Sequence, residues 1–144
     1  MTERELGDFT VRLKYKAVKG NSGVFFRMST ATSGVLGYEV EVDPARDAGG
    51  LLEPRGRQWI VKPEPAKVAE YYRANDWNEL TISAHGRRIV LHVNGEKTAD
   101  LANDPGRQSG RLALQINPRQ DLEVWFKEIT LSVSEGTGLK ASPR

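Results

Sequence analysis

Alternation with a period of two runs through most of the chain. Phe9, Val11, Leu13, Tyr15 and Ala17 alternate with Thr10, Arg12, Lys14 and Lys16, the pattern of a strand with one dry and one wet face. Asn21-Ser-Gly breaks this run, and Val24-Phe-Phe-Arg-Met begins a second strand. Over residues 36–42, Tyr38, Val40 and Val42 take one side while Glu39 and Glu41 take the other. Residues 77–84 and 88–93 read as two more strands, separated by His85-Gly86-Arg87. Asn94-Gly95 is a type I′ hairpin signal, which predicts that residues 96–101 pair back on the preceding strand. Residues 111–116 and 122–133 complete the set. Only the 64–73 region, around Pro65-Ala-Lys-Val-Ala-Glu-Tyr-Tyr, suggests a helix, two turns long with Val68 and Tyr71 or Tyr72 inward. Residues 43–64 hold Asp-Pro, Gly-Gly, Glu-Pro-Arg-Gly and Lys-Pro, and read as one long loop of the kind that often carries function. About eight strands bounded by Gly, Pro, Asn and Asp, with no alternating helices, predict an all-β antiparallel sandwich with one short helix.

Composition narrows the classes. At 144 residues the chain fits one domain, 1–144, with a core over about 6–133 and a frayed tail at 134–144. Hydrophobic residues at 38% exclude a disordered tail, and no apolar run approaches the roughly 18 residues of a spanning helix. The N-terminus, Met1-Thr-Glu-Arg-Glu-Leu, has no apolar signal-peptide segment, and its compartment stays open. Twenty-one basic against nineteen acidic residues give +2, too balanced to argue for nucleic acid. With no cysteine there is no disulfide framework, thiolate metal site or cysteine nucleophile.

The sharpest candidate chemistry is Gly37-Tyr-Glu-Val-Glu-Val-Asp43. Residues two apart on a strand share a side at about 6.6–6.8 Å of rise. Glu39, Glu41 and Asp43 therefore line one face while Tyr38, Val40 and Val42 pack inward. Adjacent carboxylates repel, which raises a carboxyl pKa and suits general-acid chemistry. The plain alternative is the solvated outer face of a sheet. By parity, Arg27 joins Asn21 and Phe25 on one side of its strand, where its fork of donors can neutralise Glu39 or Glu41 or hold an oxyanion. Gln115 and Asn117 lie opposite the apolar Leu112, Leu114 and Ile116, so neighbouring strands would give a polar patch suited to sugar hydroxyls. Trp77 reads as a core anchor, and Trp59 in the long loop either as a platform for a sugar ring or as a residue that pins the loop. His85 and His92 lack partners at ligand spacing, so no zinc site is expected. No cofactor is called for; a divalent cation at the carboxylates is the single option left open.

Several motifs recur together in one known family: Asp8-Phe-Thr-Val-Arg-Leu, Asn21-Ser-Gly-Val-Phe-Phe-Arg27, Gly37-Tyr-Glu-Val-Glu41, Asp76-Trp-Asn78, Val93-Asn-Gly95, Gly110-Arg-Leu-Ala-Leu-Gln115 and Val124-Trp-Phe-Lys-Glu-Ile129. In this order, over about residues 6–133, they resemble the 3-keto-disaccharide hydrolase family, also described as 3-keto-glucoside 1,2-lyase/3-keto-2-hydroxy-glucal hydratase domains. The resemblance implies a concanavalin-like, laminin-G-like jelly roll acting on sugars oxidised at C3. The ketone acidifies the C2 hydrogen; a base removes it, the C1 substituent leaves with help from an acid, and water adds to the resulting glucal. At the positions the resemblance supplies, Glu39 and Glu41 become the acid/base candidates. Arg27 and Lys62 are then candidates to stabilise the enolate, and Asn21, Asn78, Gln115, Asn117 and Trp59 to bind substrate.

The chain departs from the family pattern in three places. Glu41 stands where Gln is usual, Asn117 where a His is common, and the segment with which family members usually begin, some thirty residues earlier and including a strand, has no counterpart here. The last departure would leave a sheet edge exposed, which invites either pairing with another chain, as in a homodimer through that edge, or a shortened sandwich. Exported relatives also carry a signal peptide. Two other readings stand beside this one: a non-catalytic carbohydrate-binding or interaction module of the same fold, and a laminarinase-like retaining glycosidase, suggested by Glu39-Val-Glu-Val-Asp43. The expected partner in each case is a sugar or glycoside, with no nucleic acid and no membrane.

Overall fold

Where the sequence alternates, the chain forms long antiparallel strands. The computed structural model describes residues 1–32, 34–44 and 46–134, so the tail expected to fray lies, from residue 135 on, outside the described residues. The elements are β1 (Asp8–Lys19), β2 (Ser22–Ala31), β3 (Gly34–Val42), β4 (Leu51–Glu53), β5 (Gln58–Val61), α1 (Pro65–Tyr71), β6 (Asn78–His85), β7 (Arg88–Val93), β8 (Glu96–Leu101), β9 (Arg111–Leu114) and β10 (Glu123–Ser134). They build two five-stranded sheets, ordered β10-β1-β6-β7-β8 and β5-β4-β3-β2-β9. Every paired neighbour is antiparallel.

The core lies between the sheets. Phe9, Val11, Leu13 and Tyr15 of β1 and Leu80, Ile82, Ile89 and Leu91 of β6 and β7 meet Val24, Phe26, Tyr38, Val40 and Leu51. Each fully buried side chain of this size contributes about 1.5–3 kcal/mol of transfer free energy. Phe26 stacks on Tyr38 with ring centroids 4.9 Å apart and meets the edge of Phe9 at 6.0 Å. Because Tyr38, Val40 and Val42 are taken into this core, Glu39 and Glu41 must emerge on the far side of the second sheet.

Three local expectations need correction. The long loop at 43–64 contains a hairpin, β4–β5, that extends the second sheet beside β3. Its strands are three and four residues long and carry no alternating pattern, so the flanking Gly and Pro dominated the local reading. Trp77 is no core anchor: Asn78 and Leu80 take the inward positions at the start of β6, which turns Trp77 outward, under Lys127. On β9 only Leu112 is buried, while Leu114 and Ile116 are 39% and 80% exposed. Opposite them Leu131 and Val133 of β10 pair with Val11 and Phe9 and so face the core side, yet each is 39% exposed. The second sheet ends at β9, and the sandwich is open along that margin.

Candidate active site

The outer face of the second sheet carries a row of side chains set by register. Glu39 pairs with Phe25 of β2 and Leu52 of β4, and Leu52 pairs with Trp59 of β5. In the next row Glu41 pairs with Gly23, whose carbonyl accepts from Gln115 N at 2.8 Å. On its other side Glu41 N donates to Gly50 O at 2.9 Å. Glu39, Glu41, Gln115 and Trp59 thus share one face across five strands.

Two glycines shape the floor. A Cβ at Gly23 would lie 2.4 Å from Glu39 Oε1 and 2.8 Å from its Cγ, so the Glu39 side chain leans across β2 toward the Glu41 row through space that only glycine leaves. A Cβ at Gly50 would lie 2.7 Å from Cζ3 of Trp59, so the indole lies over the backbone that hydrogen-bonds Glu41. Neither glycine stands out in the sequence, where Gly23 falls in the break after the first strand and Gly50 in the long loop; in the structure Gly23 lies in β2 and Gly50 immediately before β4.

Electrostatics distinguishes the two carboxyls. Glu39 is 6% and Glu41 9% exposed. Burial, then the neighbouring Glu41, pushes Glu39 up from 4.5 to about 8. Burial also pushes Glu41 up, to about 7; Asn21 Nδ2, donating to Oε2 at 2.9 Å, opposes this, and Asp43 and Asp47 add to it. Among the described residues no side chain hydrogen-bonds to Glu39. Both buried carboxyls therefore hold their protons closer to neutrality than an ordinary carboxyl does, the range in which acid/base catalysis operates.

The remaining candidates divide. Asn21 is tied to Glu41, and Lys62 holds its ammonium 5.4 Å from the Trp59 ring centroid, so both belong to this face. Asn117 sits in the turn after β9, its Oδ1 accepting from Arg119 N at 3.1 Å; Gln120 of the same turn accepts from Asn21 N at 2.9 Å. Arg27 does not join them. The β2 ladder shifts register between Phe26 and Ser29, and Arg27 has φ of 48°. That bulge reverses its side, and the guanidinium, 1% exposed, turns between the sheets. There it donates to Gly86 O at 2.7 Å, Arg107 O at 3.2 Å and Gly7 O at 3.4 Å, with Asp8 at 3.8 Å. Asn78 is also elsewhere: fully buried on the first sheet, it donates to Arg73 O and Asp76 O and accepts from Arg73 N and Asn94 Nδ2. It pins the segment between α1 and β6. Among the described residues no cluster of three His, Asp or Glu side chains can hold a metal ion.

Over residues 1–132 the sequence matches the family described as the 3-keto-alpha-glucoside-1,2-lyase-like domain. No curated protein matches it. Among solved structures it is similar to the carbohydrate-binding module CBM66 from Bacillus subtilis, with TM-score 0.67 and 18% identity over 90% of this chain and 77% of that one. A glycosyl-hydrolase-like protein from Parabacteroides distasonis gives TM-score 0.64 and 18% identity over 92% and 81%. A human galectin-16 double variant gives 0.55 and 11% over 93% and 98%. At these identities the likenesses establish the fold, a lectin-like jelly roll.

Proposed function

The chain belongs to the 3-keto-alpha-glucoside-1,2-lyase-like domain family, and from that premise we propose that it cleaves 3-keto-glycosides by elimination across C1–C2 followed by hydration, with Glu41 as base and Glu39 as acid. The observation that carries this reading is the pair of buried carboxyls on an open sheet face, one pushed up to about 7 and the other to about 8. Near neutral pH Glu41 is substantially ionised and takes the C2 proton, which the C3 ketone acidifies. The C2 electron pair forms the C1=C2 bond as the C1–O bond breaks, and the departing oxygen takes the Glu39 proton. Glu39, now a carboxylate, deprotonates a water that adds to C1, and Glu41 returns its proton to C2. Atoms and protons balance, and both carboxyls end as they began.

With Arg27 turned away, Lys62 and Gln115 are the groups on this face that can meet the developing enolate oxygen and the hydroxyls. Trp59 over Gly50 provides an apolar platform for a ring. In the family Asn117 takes a position where His is common; in this mechanism proton transfer rests on the two carboxyls and does not require that His.

The test is a 3-keto-glucoside bearing a chromogenic leaving group. Release by the wild-type chain and its loss by at least 100-fold in both Glu39→Gln and Glu41→Gln are expected. Unchanged release in both variants contradicts the assignment. The second reading, a sugar-binding module without turnover, is favoured by the Trp59 platform and by the likeness to a carbohydrate-binding module. It is distinguished by the same assay: no release from folded protein, together with a sugar that raises the melting temperature in the wild type and not in Trp59→Ala. Ligand at 100 times Kd adds about 2.7 kcal/mol.

A further inference from the structure

The outer face of the first sheet, on the opposite side of the sandwich from the carboxyl pair, holds a second arrangement of side chains that the mechanism leaves unused. Lys14 of β1 lies directly between Lys127 of β10 and Glu79 of β6 in register. Beside this row a polar cleft of about 670 Å³ is bounded by Trp77, Arg73, Asp76 and the Asn94-Gly95 hairpin tip. Like charges directly opposite on neighbouring strands are destabilising, and the cleft offsets this only in part. Lys14 is ion-paired with Glu128 at 2.7 Å, whereas Lys127 has no ion pair among the described residues and rests its ammonium 4.0 Å from the centre of the Trp77 ring.

Arg73 is the second open cation. Its backbone is clamped at both ends by Asn78, which accepts from Arg73 N at 2.8 Å and donates to Arg73 O at 2.9 Å. Its exposed guanidinium has neither hydrogen bond nor ion pair among the described residues. The cleft thus presents two cations without ion pairs among the described residues, a half-buried indole beneath Lys127, and hydrogen-bonding groups around the rim; of its two lining carboxylates, Glu79 is paired with Arg12 and Asp76 accepts from Trp77 N. A sugar ring needs the indole and the rim; an acid group on that ring needs the cations.

We propose that this cleft is a second saccharide site, selective for sugars carrying a carboxylate, with Arg73 and Lys127 holding the acid group and Trp77 the ring. The proposal does not depend on the carboxyl pair of the second sheet. The test is calorimetric titration of the whole chain with a uronic-acid oligosaccharide and with its neutral counterpart of equal length. The acidic sugar is expected to bind at least 10-fold more tightly than the neutral one. Arg73→Gln and Lys127→Gln, both exposed changes that leave the core untouched, are each expected to weaken it 10-fold or more, and rising salt to weaken it further. Trp59→Ala and Glu39→Gln are expected to leave it unchanged. Equal binding of the two sugars, no binding by folded protein, or binding that falls with Trp59→Ala and not with Arg73→Gln overturns the proposal.

Discussion

Glu39 is held where burial and a second carboxyl act in the same direction, and the consequence reaches stability as well as catalysis. Its folded pKa of about 8 lies above the ordinary 4.5, so the native state binds a proton that the unfolded chain releases. The associated stability is fully present below about pH 4.5 and is lost as pH rises through 8; Glu41, at about 7, contributes over the lower part of the same window. Glu39→Gln, which cannot ionise, is therefore expected to raise stability at pH 8 by on the order of 1–3 kcal/mol and to leave it nearly unchanged at pH 4.5, read from urea midpoints at the two pH values. A destabilised variant at pH 8 would mean that the carboxylate is welcome in its site. Gly23→Ala tests the floor beneath it. Its methyl group would occupy the space of the Glu39 carboxyl, so cleavage is expected to fall at least 10-fold while the circular-dichroism spectrum stays that of the wild type. The facing of Glu39 and Glu41 was legible from alternation alone, because Tyr38, Val40 and Val42 must go inward. Their depth of burial was not, since the residues opposite Glu39 (Phe25 and Leu52) and Glu41 (Gly23 and Gly50) come from distant parts of the chain.

At the scale of the element, β2 shows how one inserted residue redirects a side chain. Strict alternation puts Arg27 with Phe25; the bulge after Phe26 puts it inside instead, tying the β6–β7 turn, Gly7 and the segment around Arg107 together. Replacing it takes the donor from three carbonyls, while the Asp8 carboxylate keeps its hydrogen bond from Gly86 N at 2.7 Å. Arg27→Ala is expected to cost about 3 kcal/mol in urea unfolding and, at a temperature where it remains folded, to keep cleavage within about 3-fold of the wild type. A 100-fold loss of cleavage with stability intact would return Arg27 to the chemistry. No local pattern in Val24-Phe-Phe-Arg-Met announces such a bulge. The β4–β5 hairpin was hidden for a related reason: its strands are defined by the edge of β3 that they extend, and Leu51-Leu-Glu53 alone has no period. The long alternating strands, β1, β6 and β7, needed no such context and match their expected positions closely.

The whole molecule is a two-layer sandwich whose layers do not cover each other completely. Along the β9–β10 margin a cleft of about 230 Å³ reaches Val11, Leu13, Val24 and Leu112, flanked by the exposed Leu114, Ile129 and Leu131. An apolar opening of this kind is expected to bind a hydrophobic dye in the native state. Anilinonaphthalene sulfonate fluorescence is therefore expected to rise on the folded protein and to fall by half or more in Leu131→Lys; no enhancement with the native chain would mean that the margin is closed in solution. The fold itself followed from period-two alternation and turn residues. What joins the scales is the placement of two buried carboxyls with raised pKa values on the outer face of the second sheet. The most direct measurement of that claim is the pH dependence of kcat/KM for cleavage of a 3-keto-glucoside. A narrow bell is expected, rising through about pH 7 as Glu41 ionises and falling through about pH 8 as Glu39 does. Limbs that persist in both Glu39→Gln and Glu41→Gln, or an acid limb near the ordinary 4.5, would contradict it.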